Sequence, residues 1–290
     1  MKVSRKVLLV YKKSAYSIYF AEREAVSAVE RSAAMQKEIR RFQNAHNEHH
    51  TTLERVECIL QRYGINYAKC SRGQRIDFAK YDFIISVGGD GTFLEAARGV
   101  THQIIIGVNS APSFSVGKLC VANEMNFEAI IQRMIDRKIQ TTAWQRLRLR
   151  LKGHRRAVDC VNDALICHSN PAAMSRYYLK IKDIKEEQRN SGLWVATSAG
   201  SSGAIKSAGG KILMAQEKKI QYMPRELYEG FRHSYRLKGG ILSVRQVITV
   251  TSLMHEGMIF VDGTHFKIKF PFNAALDISL SPNPLRTVKI

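Results

Sequence analysis

The sequence has no apolar run approaching the roughly 18 residues that a membrane-spanning helix needs. Its five cysteines, Cys58, Cys70, Cys120, Cys160 and Cys167, show no CxxC spacing. A scattered, odd-numbered set of thiols argues against a disulfide framework and a zinc site, and for a reducing, cytoplasmic compartment. The N-terminal MKVSRKVLLVYKK begins basic, but Lys12 and Lys13 cut its apolar run short, so Val7–Tyr11 reads as a first strand and not as the core of a signal peptide. Proline is scarce, with six residues, and no repeat or low-complexity tract is present. Acidic residues are scarce as well: 25 Asp and Glu against 45 Lys and Arg leave a net charge of +20. A composition of 45% hydrophobic and 24% charged residues excludes a largely disordered chain. The length of 290 residues suits one large domain or two smaller ones. The positive field would attract nucleic acid, an anionic membrane or a polyphosphate metabolite alike, so charge alone does not choose a partner.

What is there changes texture along the chain. A polar stretch rich in helix formers runs from Ala21 to about Tyr63, and Leu53, Val56, Ile59, Leu60 and Tyr63 fall at helical spacing before a stop at Gly64. His46, His49 and His50 in this stretch read as a solvated helical face or a break between two helices. Ile65–Lys69, Tyr81–Val87 and Ile104–Val108 read as strands, with a helix over Phe93–Arg98 between the last two. Continuous apolar strands alternating with helices predict a parallel sheet covered on both faces. Beyond about residue 140 the pattern becomes β-rich. Trp144–Leu151, WQRLRLRL, alternates with period two, which predicts one strand carrying Arg146, Arg148 and Arg150 on a solvated face. Strand-like runs follow at Tyr177–Ile181, Leu193–Thr197, Val247–Thr251, Met258–Val261 and Phe266–Phe270. The expected fold class is therefore an α/β N-terminal domain with a parallel sheet, over residues 1–140, and a mostly β C-terminal domain, over 141–274.

The chemistry concentrates at Gly88-Gly89-Asp90-Gly91-Thr92, directly after an apolar strand and before a helix. Glycines at a strand end let the backbone approach a ligand closely. The helix start offers free amides and a positive dipole end to phosphate. An Asp there works against anion binding, so binding alone does not explain Asp90. A base that orients an attacking hydroxyl and accepts its proton does. The bland alternative is a tight turn with Asp as a helix cap. A second glycine- and serine-rich stretch, Ser191–Gly210, lies between apolar flanks and reads as another phosphate-tolerant loop, with Gly200, Gly203, Ser201, Ser202 and Ser207.

GGDGT is shared by NAD kinases, diacylglycerol and sphingosine kinases and 6-phosphofructokinases, and by itself says phosphotransferase. Four further segments resemble NAD kinases, in family order. They are Ile106–Cys120 (IGVNSAPSFSVGKLC), Val161–Ile166 (VNDALI), Ser191–Gly210 (SGLWVATSAGSSGAIKSAGG) and Gly257–Gly263 (GMIFVDG). The resemblance spans about Val7 to Leu285. It implies a two-domain NAD kinase-like fold in which the last segment, 275–290, returns to the first domain, and at least a homodimer. It implies ATP with Mg2+ and NAD or NADH as substrates. Asp90 would be the catalytic base, Gly89, Gly91 and Thr92 the phosphate-holding turn, and Asn162 and Asp163 partners of ribose hydroxyls, with Ser202, Gly203 and Ser207 also at the substrate. No protein-held metal is expected, nor nucleic acid or membrane as partner. Ala204 stands where the family usually has tyrosine, Ser191 where it usually has an acidic residue, and Cys120-Val121 follow Leu119 where an aromatic is usual. Asp163 replaces a usual Glu. The pattern around Asn162–Ile166 and Gln221–Glu226 resembles the divergent subgroup that includes the NADH-preferring plant enzyme and the mitochondrial animal enzymes. The rival readings are a lipid kinase, for which no convincing apolar groove or amphipathic membrane helix is visible, and a nucleic-acid-binding protein. The second is motivated by the eight Lys and Arg in Arg137–Arg156.

Overall fold

The structure, a computed structural model, describes residues 6–18, 33–230 and 234–289. It divides into two compact units, Met1–Thr142 with Arg286–Ile290, and Ala143–Leu285.

The first unit is built on a seven-stranded sheet of β1 (Val7–Tyr11), β2 (Tyr67–Ser71), β3 (Phe83–Gly88), β4 (Ile104–Asn109), β5 (Ala122–Asn123), β6 (Thr141–Trp144) and β19 (Leu285–Val288), in the order β2-β1-β3-β4-β19-β6 with β5 beside β4, and β1 to β5 and β19 pair in parallel. The central strands β1, β3 and β4 are apolar at successive positions because both faces are covered. Val7, Leu9, Phe83, Ile85, Ile106 and Val108 join one core with Leu53, Val56, Ile59 and Leu60 of α1 (Ala33–Arg62) and Ile130, Ile131 and Met134 of α3 (Phe127–Ile135). The alternate residues Leu8, Ile84 and Ile105 are equally buried on the other face. α1 is one continuous helix through His46–His50, with no break there, and it ends before Gly64, whose φ of 62° lies in the left-handed region. The start of the expected helical stretch, residues 21–32, lies outside the described residues.

The second unit is a sandwich of two six-stranded antiparallel sheets. One has the order β11 (Ile184–Asn190), β10 (Ser175–Ile181), β15 (Ile248–Ser252), β18 (Ala275–Leu280), β7 (Leu147–Leu151), β8 (Val158–Cys160). The other has β14 (Gly240–Leu242), β13 (Ile220–Pro224), β12 (Leu193–Thr197), β9 (Asp163–His168), β16 (Gly257–Val261), β17 (Phe266–Lys269). Inward residues of both sheets, among them Leu149, Tyr177, Val250 and Ile278 with Ile166, Val195, Ile220 and Ile259, form one core.

Two expectations are corrected here. The return to the first unit is shorter than 275–290: Ala275–Leu280 pairs with β7 and β15 inside the sandwich, and the first unit regains the chain only at Arg286. The alternating run Trp144–Leu151 is divided between two strands, β6 and β7, by an interruption at Gln145-Arg146. Arg146 is buried and donates from Nε to the Asn283 carbonyl at 2.8 Å, while Arg148 is ion-paired to Asp159 and only Arg150 of the three is exposed. The basic run is therefore partly drawn into the fold, not laid out as a solvated stripe.

All five cysteines are free, and Cys58 on α1 is the exposed one. Burial raises the pKa of Cys70, Cys160 and Cys167, and pushes Cys120 up to about 12 with help from the Asp90 charge. Native protein treated briefly with a maleimide at pH 7.5 should take up one label per chain, on Cys58, as read by peptide mass mapping. Rapid labelling at Cys120 or Cys160 would contradict this packing.

Candidate functional site

In the first unit the register of the parallel strands sets four loop starts side by side. Tyr11 pairs with Ser71 on one side and Val87 on the other, and Gly88 pairs with Asn109. The Arg72 amide donates to the Tyr11 carbonyl, the Lys12 amide to Val87, and the Ser110 amide to Gly88. Arg72, Lys12, Gly88-Gly89 and Asn109-Ser110 thus line the carboxyl edge of the sheet. The chain crosses from β1 to β2 on one side and then to β3 on the other, so the edge between β1 and β3 is the switch point at which open α/β sheets take ligands.

Gly89 is the N-cap of α2 (Asp90–Gly99), and Asp90 is its first residue, so Asp90 is not itself the cap. Its carboxylate reaches sideways. Oδ1 accepts from the Leu119 amide at 2.7 Å and Oδ2 from the Lys118 amide at 3.1 Å. A carboxylate offers about four acceptor positions, so two remain open. Lys118 and Leu119 follow Gly117, which has φ 56° and lies so close to Asn109 that a side chain there would strike the Asn109 amide. Asn109 in turn donates from Nδ2 to the Ser115 carbonyl at 2.8 Å. Gly88 is fixed by packing: a methyl there would collide with the Thr92 hydroxyl. The Thr92 side chain is buried and its amide donates to the Gly89 carbonyl, so its side chain packs the turn. Gly89 and Gly91 sit beside Ser115 and Arg72 respectively.

Sequence reasoning missed Lys12, Arg72 and His49. Lys12 is half-buried, and burial and then the nearby Arg72 charge lower its pKa; it makes no ion pair among the described residues. Arg72 is ion-paired with Glu95. His49, read from the sequence as part of a solvated face, is buried: Nε2 donates to the Lys12 carbonyl at 2.9 Å and Nδ1 accepts from Ser110 Oγ at 2.7 Å. Burial and then the Lys12 charge push its pKa down to about 4, so it is a neutral strut between the ends of β1 and β4. The only sequence signal for Lys12 and Arg72 is that they follow strands, which acts only once the strand order is known, and His49, inside α1, carries none.

In the second unit Asn162 and Asp163 open β9. Asp262, with φ 49°, accepts from the Asn162 amide at 2.7 Å and the Val161 amide at 3.0 Å and so pins the strand start. Thr197 Oγ1 donates to the Val161 carbonyl at 2.5 Å and accepts from the Gly200 amide at 3.0 Å. Gly200 lies against the Asn162 backbone, where any side chain would clash. Gly203 borders Asp163: a methyl on it would stand 3.7 Å from Oδ2. Ser202 is half-buried in the same turn, whereas Ser207 is exposed at the end of the short helix α4 (Ala204–Ser207), and Ser201 is tied to Ser198 and Leu213. Asn162 Oδ1 is buried with no hydrogen-bond partner, an open acceptor. Burial and then the Asp262 charge push the Asp163 pKa up to about 7. Among the described residues, no group of three or more His, Cys, Asp or Glu is placed to hold a metal ion, and no helix is long and apolar enough to cross a membrane.

A carboxylate poised among glycines at the switch point of a parallel sheet, with cations beside it, defines a nucleotide-binding phosphotransferase. Residues 2–139 match the family model of the ATP-NAD kinase N-terminal domain. A probable NADH kinase of Oryza sativa subsp. japonica is 31% identical over 263 residues, covering 83% of this chain and 81% of that protein. An NADH kinase of Arabidopsis thaliana is 27% identical, covering 68% and 69%. The crystal structure of an NAD kinase from Archaeoglobus fulgidus in complex with ATP has the same fold, with a TM-score of 0.70 over 98% of this chain and 93% of that one at 21% identity. The chain belongs to the NAD kinase family.

The raised pKa of Asp163 has a thermodynamic consequence. Between the ordinary 3.8 and about 7 the folded chain holds a proton that the unfolded chain releases, so this residue lowers stability as pH rises through that window. Asp163→Asn removes the effect. Urea melts should show the variant gaining on the parent as pH rises from 4 to 7, by up to about 1.4 kcal/mol for each whole pH step, and levelling off above that. A constant difference across that range would mean that Asp163 is not perturbed.

Proposed function

We propose that the chain transfers the γ-phosphate of MgATP to the 2′-hydroxyl of the adenosine ribose of NAD or NADH, giving ADP and NADP(H). The observation that carries this reading is Asp90, whose oxygens are aimed by the Lys118 and Leu119 amides and keep acceptor positions free. A hydroxyl hydrogen-bonded there loses its proton to the carboxylate as its oxygen attacks the γ-phosphorus, and the bond from that phosphorus to the bridging oxygen of ADP breaks. Lys12, at the same strand edge, offsets negative charge on the transferred group. The amides at Gly89 and Gly91 and the positive end of α2 add to it. Asn162 Oδ1, an unsatisfied acceptor, suits a ribose hydroxyl, and Asp163 with a pKa of about 7 serves as donor or acceptor near neutral pH. Ser202 and Gly203 flank that pair, and Ser207 is its outlying member.

Mg2+ would enter with the nucleotide as MgATP, since magnesium keeps several of its waters and needs few protein ligands. NADH as acceptor is supported by the plant relatives named NADH kinases. A homo-oligomer and a cytoplasmic location are supported by the family resemblance and the free thiols respectively. The buried Arg146 and the paired Arg148 weaken the nucleic-acid reading of the basic run.

Asp90→Asn should lower kcat about 10²–10⁴-fold, the usual range for losing a positioned base. Its melting curve should stay cooperative. Near-parental turnover with either NAD or NADH would remove Asp90 from the chemistry.

A further inference from the structure

The loop after β2 is gripped from the side by one carboxylate of α2. Glu95 Oε1 accepts from the Gly73 amide at 2.7 Å, and Glu95 Oε2 is ion-paired with Nε of Arg72. The Arg72 amide is pinned in turn to the Tyr11 carbonyl at 2.7 Å. The side chains of Arg72 and Glu95 are 27% and 20% exposed. An ion pair between two freely solvated side chains holds no single geometry, but here both partners are tied to backbone as well and are partly buried. The guanidinium is therefore set in place before a ligand arrives.

The grip decides which way that guanidinium faces. Gly91, Glu95 and Arg98 follow one another at i, i+4 and i+7 on the less buried stripe of α2, whereas Phe93, Leu94, Ala96 and Ala97 face the core. With Nε held at Glu95, the far end of Arg72 reaches back to the first turn of the helix, where a methyl on Gly91 would stand 3.5 Å from Nη1. Neither Nη1 nor Nη2 has a hydrogen-bond partner among the described residues. Their N–H groups remain for a ligand, in the planar fork that suits phosphoryl oxygens. Among the described residues Arg72 pairs with Glu95 and not with Asp90, so Asp90 keeps its open acceptor positions. Lys12 approaches the same edge from β1, and the Arg72 charge, after burial, lowers its pKa. Arginine holds its charge where a half-buried lysine is pressed to lose it.

We propose that Arg72 is a further catalytic residue of the phosphoryl transfer, its guanidinium stabilising the charge that develops on the transferred group, and that Glu95 is the residue that positions it. It rests on the kinase reading and adds to it a cation that acts during the transfer and not in nucleotide binding.

The test uses the full chain with ATP and NAD or NADH, in the parent, Arg72→Lys, Glu95→Gln and the double variant. Arg72→Lys keeps the charge and loses the fork, and should lower kcat about 10²-fold with KM for ATP within about threefold of the parent. Glu95→Gln should lower kcat about tenfold by loosening the guanidinium. The double variant should be within about threefold of Arg72→Lys alone, because Glu95 acts through Arg72. Calorimetry should show the affinity for MgAMP-PNP nearly unchanged throughout, and a merely structural clip would move the melting temperature without this split between kcat and KM. Arg72→Gln, read in the same way, stands in if the lysine variant does not melt cooperatively. Parental kcat in a folded Arg72 variant, losses confined to KM or to MgAMP-PNP affinity, or losses that multiply in the double variant would overturn the assignment and leave the kinase reading standing. A parent that forms no NADP(H) with either acceptor removes the kinase reading, and this assignment with it.

Discussion

Two backbone amides on one carboxylate organise the catalytic edge. Asp90 lies in the first turn of α2, and the amides it holds belong to Lys118 and Leu119, beyond β4. The interaction joins the turn after β3 to the loop after β4, and it is charge-assisted, the stronger kind of hydrogen bond. It also resolves why an acidic residue is tolerated where phosphates are expected. The negative charge is stabilised by the helix start and by the two amides, which leave two of its roughly four acceptor positions unused.

The second unit uses the same device. Asp262 binds the amides of Val161 and Asn162, and its left-handed backbone places the carboxylate at the start of β9. In both units a loop that has no ladder partners is fixed by an aspartate, which leaves a neighbouring polar group free for ligand. Beside Asp90 that group is Lys12; beside Asp262 it is Asn162, with Asp163. The difference lies in the electrostatics. Asp90 sits at the sheet edge that Lys12 also lines, whereas Asp163 is buried next to another carboxylate and its pKa rises. One carboxylate suits proton acceptance, the other hydrogen bonding to sugar hydroxyls near neutral pH.

Much of this was legible in the residues because it is local. Val7–Tyr11 and Leu193–Thr197 are strands over the bounds their apolar patterning implies, and GGDGT stands at the strand–helix junction its glycines demand. What stayed hidden is non-local. Nothing in HNEHH marks His49 as buried; its environment comes from Lys12 and Ser110, 37 and 61 residues away. Period two over Trp144–Leu151 says nothing of the interruption at Arg146, whose side chain is tied to a carbonyl 137 residues later, at Asn283. That the Thr92 hydroxyl packs inward against Gly88 is likewise not visible in GGDGT.

The cations explain what the net charge could not. A charge of +20 attracts any polyanion, but most of the basic side chains are dispersed or paired. Lys12 differs because the fold holds it partly out of water next to Arg72, against both desolvation and repulsion. His49 keeps the end of its strand in place, and as a neutral ring it adds no third charge. Such an arrangement is unfavourable without a counter-anion and becomes favourable when a phosphate arrives.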